Sequence, residues 1–192
     1  SINNDGSGLT RLATGIGPTN WGGGLPMWCG NDPRWAPDNS AIYFTSNCSG
    51  SDTSRGFFSV SPNSGTPTQI ISNPFMANTF SISPDGSKIV MSVLGTTLSG
   101  QNSQYPGCTN NANNNGGSWR NCAVIMDMNG NVQTILGNDN TTINFVNPVW
   151  SPDGTKIAVV SNGIVVMNAD GSNPVQILSG ATHDDIFIDW TD

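Results

Sequence analysis

The acid–base chemistry open to this chain rests on one histidine and thirteen aspartates, with no glutamate at all. The histidine stands in His183-Asp184-Asp185. An imidazole beside two carboxylates suits a general base or a metal ligand. No second histidine and no glutamate is present to complete such a site, so the tripeptide reads as a polar loop entering the strand Ile186-Phe187-Ile188. A nucleophile elbow G-x-S-x-G occurs in no register. Gly22-Gly23-Gly24 runs into Leu25-Pro26, which cannot open the helix of a phosphate loop. Asp5-Gly6, Asp85-Gly86, Asp153-Gly154 and Asp170-Gly171 offer carboxylates, and Asn138-Asp139-Asn140 is a denser oxygen cluster. Calcium, however, takes six to eight oxygens from one converging loop. Repeated turns account for these aspartates better than a metal does. No catalytic residue, metal or cofactor is expected, and the reading is of a chain that is not an enzyme.

Three tryptophans, Trp21, Trp28 and Trp119, fall in loop-like stretches. Indoles held in loops over a rigid scaffold suit stacking on sugars or anchoring a protein partner. Arg34, Arg55 and Arg120 would add polar contacts if the fold gathers them. The same tryptophans would serve equally as caps on the end of a core.

The composition sets what must carry these residues. The chain of 192 residues holds 25 Asn, 22 Ser, 17 Thr, 23 Gly and 12 Pro, and only 10% of it is charged. Such a mixture is poor in helix formers and rich in turn formers, so it points to an all-β chain. A net charge of −7 with two lysines, Lys88 and Lys156, argues against nucleic acid or an anionic membrane as partner. No apolar stretch is long enough for a helical span, so membrane insertion is not expected. The four cysteines, Cys29, Cys48, Cys108 and Cys122, lack metal-type spacing. Two disulfides are expected, Cys29–Cys48 and Cys108–Cys122 being the favoured of three pairings. They imply an extracellular, cell-surface or periplasmic setting. The sequons at Asn47 and Asn140 matter only in a host that glycosylates them.

Self-similarity organises the chain. A first half-motif recurs as Trp35-Ala36-Pro37-Asp38, Ile82-Ser83-Pro84-Asp85-Gly86-Ser87-Lys88-Ile89-Val90-Met91, Trp150-Ser151-Pro152-Asp153-Gly154-Thr155-Lys156-Ile157-Ala158-Val159 and a truncated Trp190-Thr191-Asp192. Steps between copies are 47, 68 and 40 residues, and removing the 21-residue, Asn/Gly-rich insertion Gly100–Arg120 from the long one restores 47. In each copy a tight turn joins an apolar strand to a β-branched one. A second half-motif follows: Ile2-Asn3-Asn4-Asp5-Gly6-Ser7, Val60-Ser61-Pro62-Asn63-Ser64-Gly65, Met126-Asp127-Met128-Asn129-Gly130 and Met167-Asn168-Ala169-Asp170-Gly171-Ser172. Two hairpins per unit make a four-stranded blade, and a ring of blades is a β-propeller. Trp35, Trp150 and Trp190 hold the repeat position and are expected to pack between blades.

These paired motifs resemble the TolB-like propellers, whose WD40-like PD40 repeat carries the same W-S-P-D-G-x-K-I-A and V-M-N-A-D-G-S pair. The match is closest over Trp150–Ile177 and weaker over Trp35–Ile70. The resemblance implies a periplasmic or secreted propeller, in some members an interaction module and in others a domain attached to a peptidase or sugar lyase.

The expected architecture is a single propeller domain over residues 1–192, with three complete repeats. A fourth blade is split between the second half-motif at the N-terminus and the first at the C-terminus. Ile2, Leu9, Leu12, Ile186, Ile188 and Trp190 would close it, within one molecule or between copies. The expected function is a secreted, non-catalytic interaction or structural module, self-assembling into an extracellular polymer, with other copies of itself as partner. The alternatives are a propeller that binds or cleaves carbohydrate through Trp21, Trp28, Trp119 and Arg120, with His183 as a further candidate, taking glycans as partners, and a fragment of a larger propeller-containing enzyme.

Overall fold

In a computed structural model the described residues are 30–47, 55–63, 65–72, 76–94, 121–136, 145–180 and 188–190. They form twelve strands. The chain divides into two compact units, Ser1–Pro74 and Phe75–Asp192, each taken by itself below. A single domain over the whole length stays an expectation. Among the described residues no helix is long and apolar enough to cross a membrane.

The first unit carries one antiparallel sheet: β1 (Gly30–Trp35), β2 (Ile42–Asn47), β3 (Arg55–Val60) and β4 (Thr68–Ile71), adjacent in chain order. Its interior is aromatic. Phe44 lies directly opposite Phe58, with ring centroids 5.6 Å apart, and Tyr43 stacks on Phe57 at the same distance. Cross-strand aromatic pairs of this kind fix the register of the two middle strands.

The second unit holds two such sheets. One is β5 (Met76–Ile82), β6 (Lys88–Leu94), β7 (Asn121–Asp127) and β8 (Val132–Leu136); the other is β9 (Val146–Trp150), β10 (Lys156–Val160), β11 (Gly163–Asn168) and β12 (Val175–Ser179). Each is again a meander, with neighbours in sequence paired antiparallel. The insertion 100–120 falls between β6 and β7, outside the described residues.

The middle strands explain why sheets stack. On β6, Ile89, Val90 and Met91 are all fully buried, and so are Ile157, Ala158 and Val159 on β10. Successive side chains point to opposite faces of a strand, so these runs are buried from both sides. A sheet with two apolar faces needs a cover on each.

The turns repeat atom for atom. In the second sheet Ser83 Oγ donates to Asp85 Oδ1 (2.6 Å) and accepts from the Lys88 amide (2.9 Å), while the Ser87 amide donates to Asp85 Oδ1 (3.0 Å). In the third, Ser151, Asp153, Thr155 and Lys156 make the same bonds at 2.6, 2.9 and 3.0 Å. Gly86 and Gly154 sit at φ 70° and 69°, the left-handed region that the turn requires. The first sheet departs from the pattern. Ala36 removes the serine hydroxyl and Asn39 takes the glycine place at φ 59°, leaving Asp38 with Ser40, through its side chain and its amide (2.9 Å).

Hydrogen bonds from the serine hydroxyl and the turn amides lower the carboxyl groups of Asp85 and Asp153 to a pKa of about 2. A folded-state pKa below the unfolded one adds stability that is present above the unfolded value near 4 and lost as pH falls towards 2. Both groups are solvent-exposed, so screening keeps the effect small. Thermal melts should therefore be flat from pH 7 to about 5 and fall below about 4. The Asp85→Asn/Asp153→Asn double variant should lower the melting temperature at pH 7 and flatten that acid limb; an unchanged limb would show that these turns are not its source.

Candidate functional site

The join between the second and third sheets shows what a covered blade face looks like. Val90, Ala123, Ile125 and Leu136 of one meet Trp150, Ile157, Val159, Val165 and Met167 of the other in one apolar cluster, with Phe145 between. Two polar bonds lock the inner part: the Trp150 amide donates to Ser81 Oγ (3.2 Å), and Ser92 Oγ donates to the Phe145 carbonyl (3.0 Å). Trp150 Nε1 is buried without a hydrogen-bond partner. Leaving a buried donor unmet costs about 1–3 kcal/mol, so apolar burial of the indole must offset that loss.

The outer part of the join is made by a second half-motif. Leu136, on the outer strand β8, lies under the Ala169–Gly171 turn of the third sheet. Gly171 has φ 86°, and a Cβ there would overlap Leu136 Cδ2. A bare backbone over a leucine is therefore the contact that closes the outer face.

The third sheet repeats this surface without its cover. By alignment of the half-motifs Leu178 holds the place of Leu136, yet it is 48% exposed where Leu136 is 7% exposed. Beside it on β12, Ile177 is 63% and Val175 58% exposed. The inner part of the same face is occupied. Trp190 is half-buried and its Nε1 donates to the Val149 carbonyl (3.3 Å), and Val149 sits in β9 where Ser81 sits in β5. Thus Trp190 meets the third sheet at the position where Trp150 meets the second, but through its indole N–H to a carbonyl rather than through its backbone amide to a hydroxyl. An exposed apolar patch continuing a built interface is the candidate functional site.

Trp35 corrects one expectation. It holds the same repeat place as Trp150 but is 49% exposed where Trp150 is 6% exposed. Arg34 is held by Asp32 at 2.8 Å rather than turned to a shared site. Ile188 and Trp190 of the expected closure are half-buried. Cys122 is buried in β7 and disulfide-bonded. Trp21, Trp28, Trp119, Arg120, His183, Ile2, Leu9, Leu12, Ile186, Cys29, Cys48 and Cys108 all lie outside the described residues, so their roles stay expectations. The aspartates of the turns are taken up locally: the Asn129 and Asn131 amides donate to Asp127 Oδ1 (both 2.9 Å), and the Ser172 amide donates to Asp170 Oδ1 (2.9 Å). Among the described residues no group of three His, Cys, Asp or Glu side chains is placed to hold a metal ion.

No protein-family model matches the chain, and no curated protein sequence matches it. Solved structures do. The chain is similar to an oligogalacturonate lyase in complex with manganese, at a TM-score of 0.52 and 14% identity, over 80% of this chain and 42% of that one. It is also similar to the putative TolB from Agrobacterium tumefaciens (TM-score 0.38, 15% identity, 77% of this chain and 61% of that). A third likeness is to the GH74 enzyme of Niastella koreensis (TM-score 0.48, 19% identity, 83% and 24%). The chain thus spans less than half the length of the lyase chain. At such identities the likeness shows the fold alone. This is a β-propeller chain, as the TolB-like resemblance of its repeats implies.

The likeness to the lyase overturns the expectation that the chain is not an enzyme, because a propeller structure similar to it is that of an enzyme. The expectation rested on absent motifs, and those belong to other folds. In a propeller, chemistry is carried by loops that differ from one protein to the next on a constant frame.

The two equivalent leucines separate a covered face from an open one. Leu136→Ala should destabilise the full chain to denaturant by about 2–5 kcal/mol, the usual cost of a core cavity. Leu178→Ala should change it by no more than about 0.5 kcal/mol. Equal losses would mean that Leu178 is as well covered as Leu136.

Proposed function

We propose that this propeller module works outside the cytoplasm by protein association, taking a protein segment onto the outer part of its third sheet's face. The observation that carries this reading is the exposure of Leu178 at the position where Leu136 of the second sheet is buried, with Ile177 and Val175 also exposed on the same strand. Covering side chains already half out of water is worth about 1 kcal/mol each at roughly 25 cal/mol per Å². A docked segment therefore gains a useful fraction of an ordinary binding energy from these three alone. An extracytoplasmic place is supported by the disulfide at Cys122 and by the resemblance of the repeats. The role in this reading is structural: the module builds or joins an assembly at or beyond the cell surface.

The test is whether the face is open to an apolar probe. With the protein held at 20.1 kDa by dilution, an apolar-surface dye should brighten on the parent and lose most of that signal on the Ile177→Asp/Leu178→Asp variant, with little change in melting temperature. A parent that leaves the dye dark, or a variant that brightens it equally, would remove the docking face and this reading with it.

A second reading is favoured by the likeness to the oligogalacturonate lyase. Here the loops carrying Trp21, Trp28, Trp119 and Arg120 bind an acidic or neutral sugar chain, with His183 nearby in sequence to a pair of carboxylates. The described residues supply no metal site of their own, so no step through manganese is derived. Incubation with oligogalacturonate, with and without manganese, should deplete the substrate by chromatography and fail to do so after Trp21→Ala and Trp119→Ala. An undiminished substrate in the parent sample would reject this reading.

A further inference from the structure

Five Asn-Gly or Asp-Gly steps fall among the described residues, and one of them is built differently from the rest. Such a step is where a main chain can modify itself, because glycine, lacking a Cβ, leaves its nitrogen open beside a side-chain carbonyl carbon. In four of the five that nitrogen is engaged. The amides of Gly86, Gly130, Gly154 and Gly171 donate to the carbonyls of Ser83, Asp127, Ser151 and Asn168 at 2.8–3.0 Å. Three of these steps also carry an aspartate, Asp85, Asp153 or Asp170, whose hydrogen bonds hold it below the usual carboxylate range. An ionised carboxylate is a poor electrophile. At the remaining one, the Asn129 amide is tied to Asp127 Oδ1 as well (2.9 Å).

Asn162-Gly163 is the exception. Val160 pairs with Ile164, so Ser161, Asn162 and Gly163 make the whole connection between β10 and β11. Asn162 stands exposed at its apex with φ 48°. The bonds that hold this hairpin run through carbonyls. The Ser161 amide donates to the Gly163 carbonyl (2.8 Å), and the Asn162 carbonyl accepts from the Gly180 amide (3.1 Å) and from Gln176 Nε2 (3.0 Å). The Gly163 nitrogen serves in none of them. Gln176 lies in β12 and Gly180 directly follows it, so the Asn162 carbonyl pins that strand's end to the hairpin.

We infer that Asn162 is a site of spontaneous deamidation, and that its product releases the end of β12. The Gly163 nitrogen bonds to Asn162 Cγ and gives its proton to solvent base. The Cγ–Nδ2 bond breaks, ammonia leaves, and a succinimide ring closes. Water then opens the ring at one of its two carbonyls. One opening leaves an ordinary aspartyl residue. The other routes the main chain through Cγ, adds a methylene to it, and turns the former main-chain carbonyl into a free carboxylate. That carbonyl is the one that holds Gly180 and Gln176. Gly163 has no slack for a shifted chain, since a Cβ there would overlap the Leu178 carbonyl oxygen. Ageing thus loosens the strand that carries Val175, Ile177 and Leu178. The modification itself stands without the docking reading.

The experiment ages the native protein in mildly alkaline and in mildly acidic buffer, then maps its peptides by mass spectrometry and counts isoaspartyl linkages by enzymatic methylation. Asn162 should convert at least about fivefold faster than Asn129, the factor that one hydrogen bond of ordinary net strength is worth. It should also convert faster in the alkaline buffer. In the urea-unfolded chain the two Asn-Gly steps should convert alike. Hydrogen exchange should rise across β12 in the aged parent and stay at its fresh value in aged Asn162→Gly, which keeps the left-handed turn and its carbonyl and loses the side-chain amide. An unchanged Asn162 peptide, or equal folded-state rates at Asn162 and Asn129, overturns the inference. So does unchanged exchange across β12 in protein fully converted at Asn162.

Discussion

A four-stranded sheet whose middle strands are apolar on both sides cannot be stable with one side wet. That constraint governs this molecule. Ile89, Val90 and Met91 on β6, and Ile157, Ala158 and Val159 on β10, are buried on alternating faces, so each sheet in the second unit depends on neighbours at both sides. The second and third sheets meet one of these demands for each other. The far side of the third sheet has its demand met at the inner end by Trp190 and unmet at the outer end, where β12 shows Val175, Ile177 and Leu178 to solvent. Repeat proteins stack units that need one another.

The aspartate turns serve this stacking without taking part in it. A serine hydroxyl, an aspartate and two amides close each Ser-Pro-Asp-Gly turn internally, so the turn needs nothing from the next sheet. Its shape is then the same wherever the motif appears, and the strands leave it in the same register: Ile82 opposite Ile89, Trp150 opposite Ile157, Trp35 opposite Ile42. Constant register lets one sheet's Gly171 turn fall over its neighbour's Leu136. It also explains why so many carboxylates add up to no metal site among the described residues: their oxygens are already occupied.

Function on such a frame sits in what is not repeated. A likeness in fold to a lyase shows that propeller frames carry catalysis, and the lack of familiar catalytic motifs says little about it. What distinguishes this chain in sequence is found off the repeat, in Trp21, Trp28, Trp119 and its single histidine, and among the described residues in one face whose outer strand is exposed.

The sequence by itself determined the strand pattern, the turn chemistry and the two-hairpin blade, because alternation and Pro-Asp-Gly turns act over ten residues or fewer and need no distant partner. It also marked Trp150 as a packing residue and the Gly100–Arg120 stretch as an insertion between strands of one blade. Which apolar residues end up covered was decided only by the tertiary structure. Leu136 and Leu178 stand in equivalent places in sequence, as do Trp150 and Trp35, and no local rule tells the members of either pair apart. Burial depends on the molecule across the interface, and that neighbour is a property of the fold and of its assembly, not of the residues within the motif.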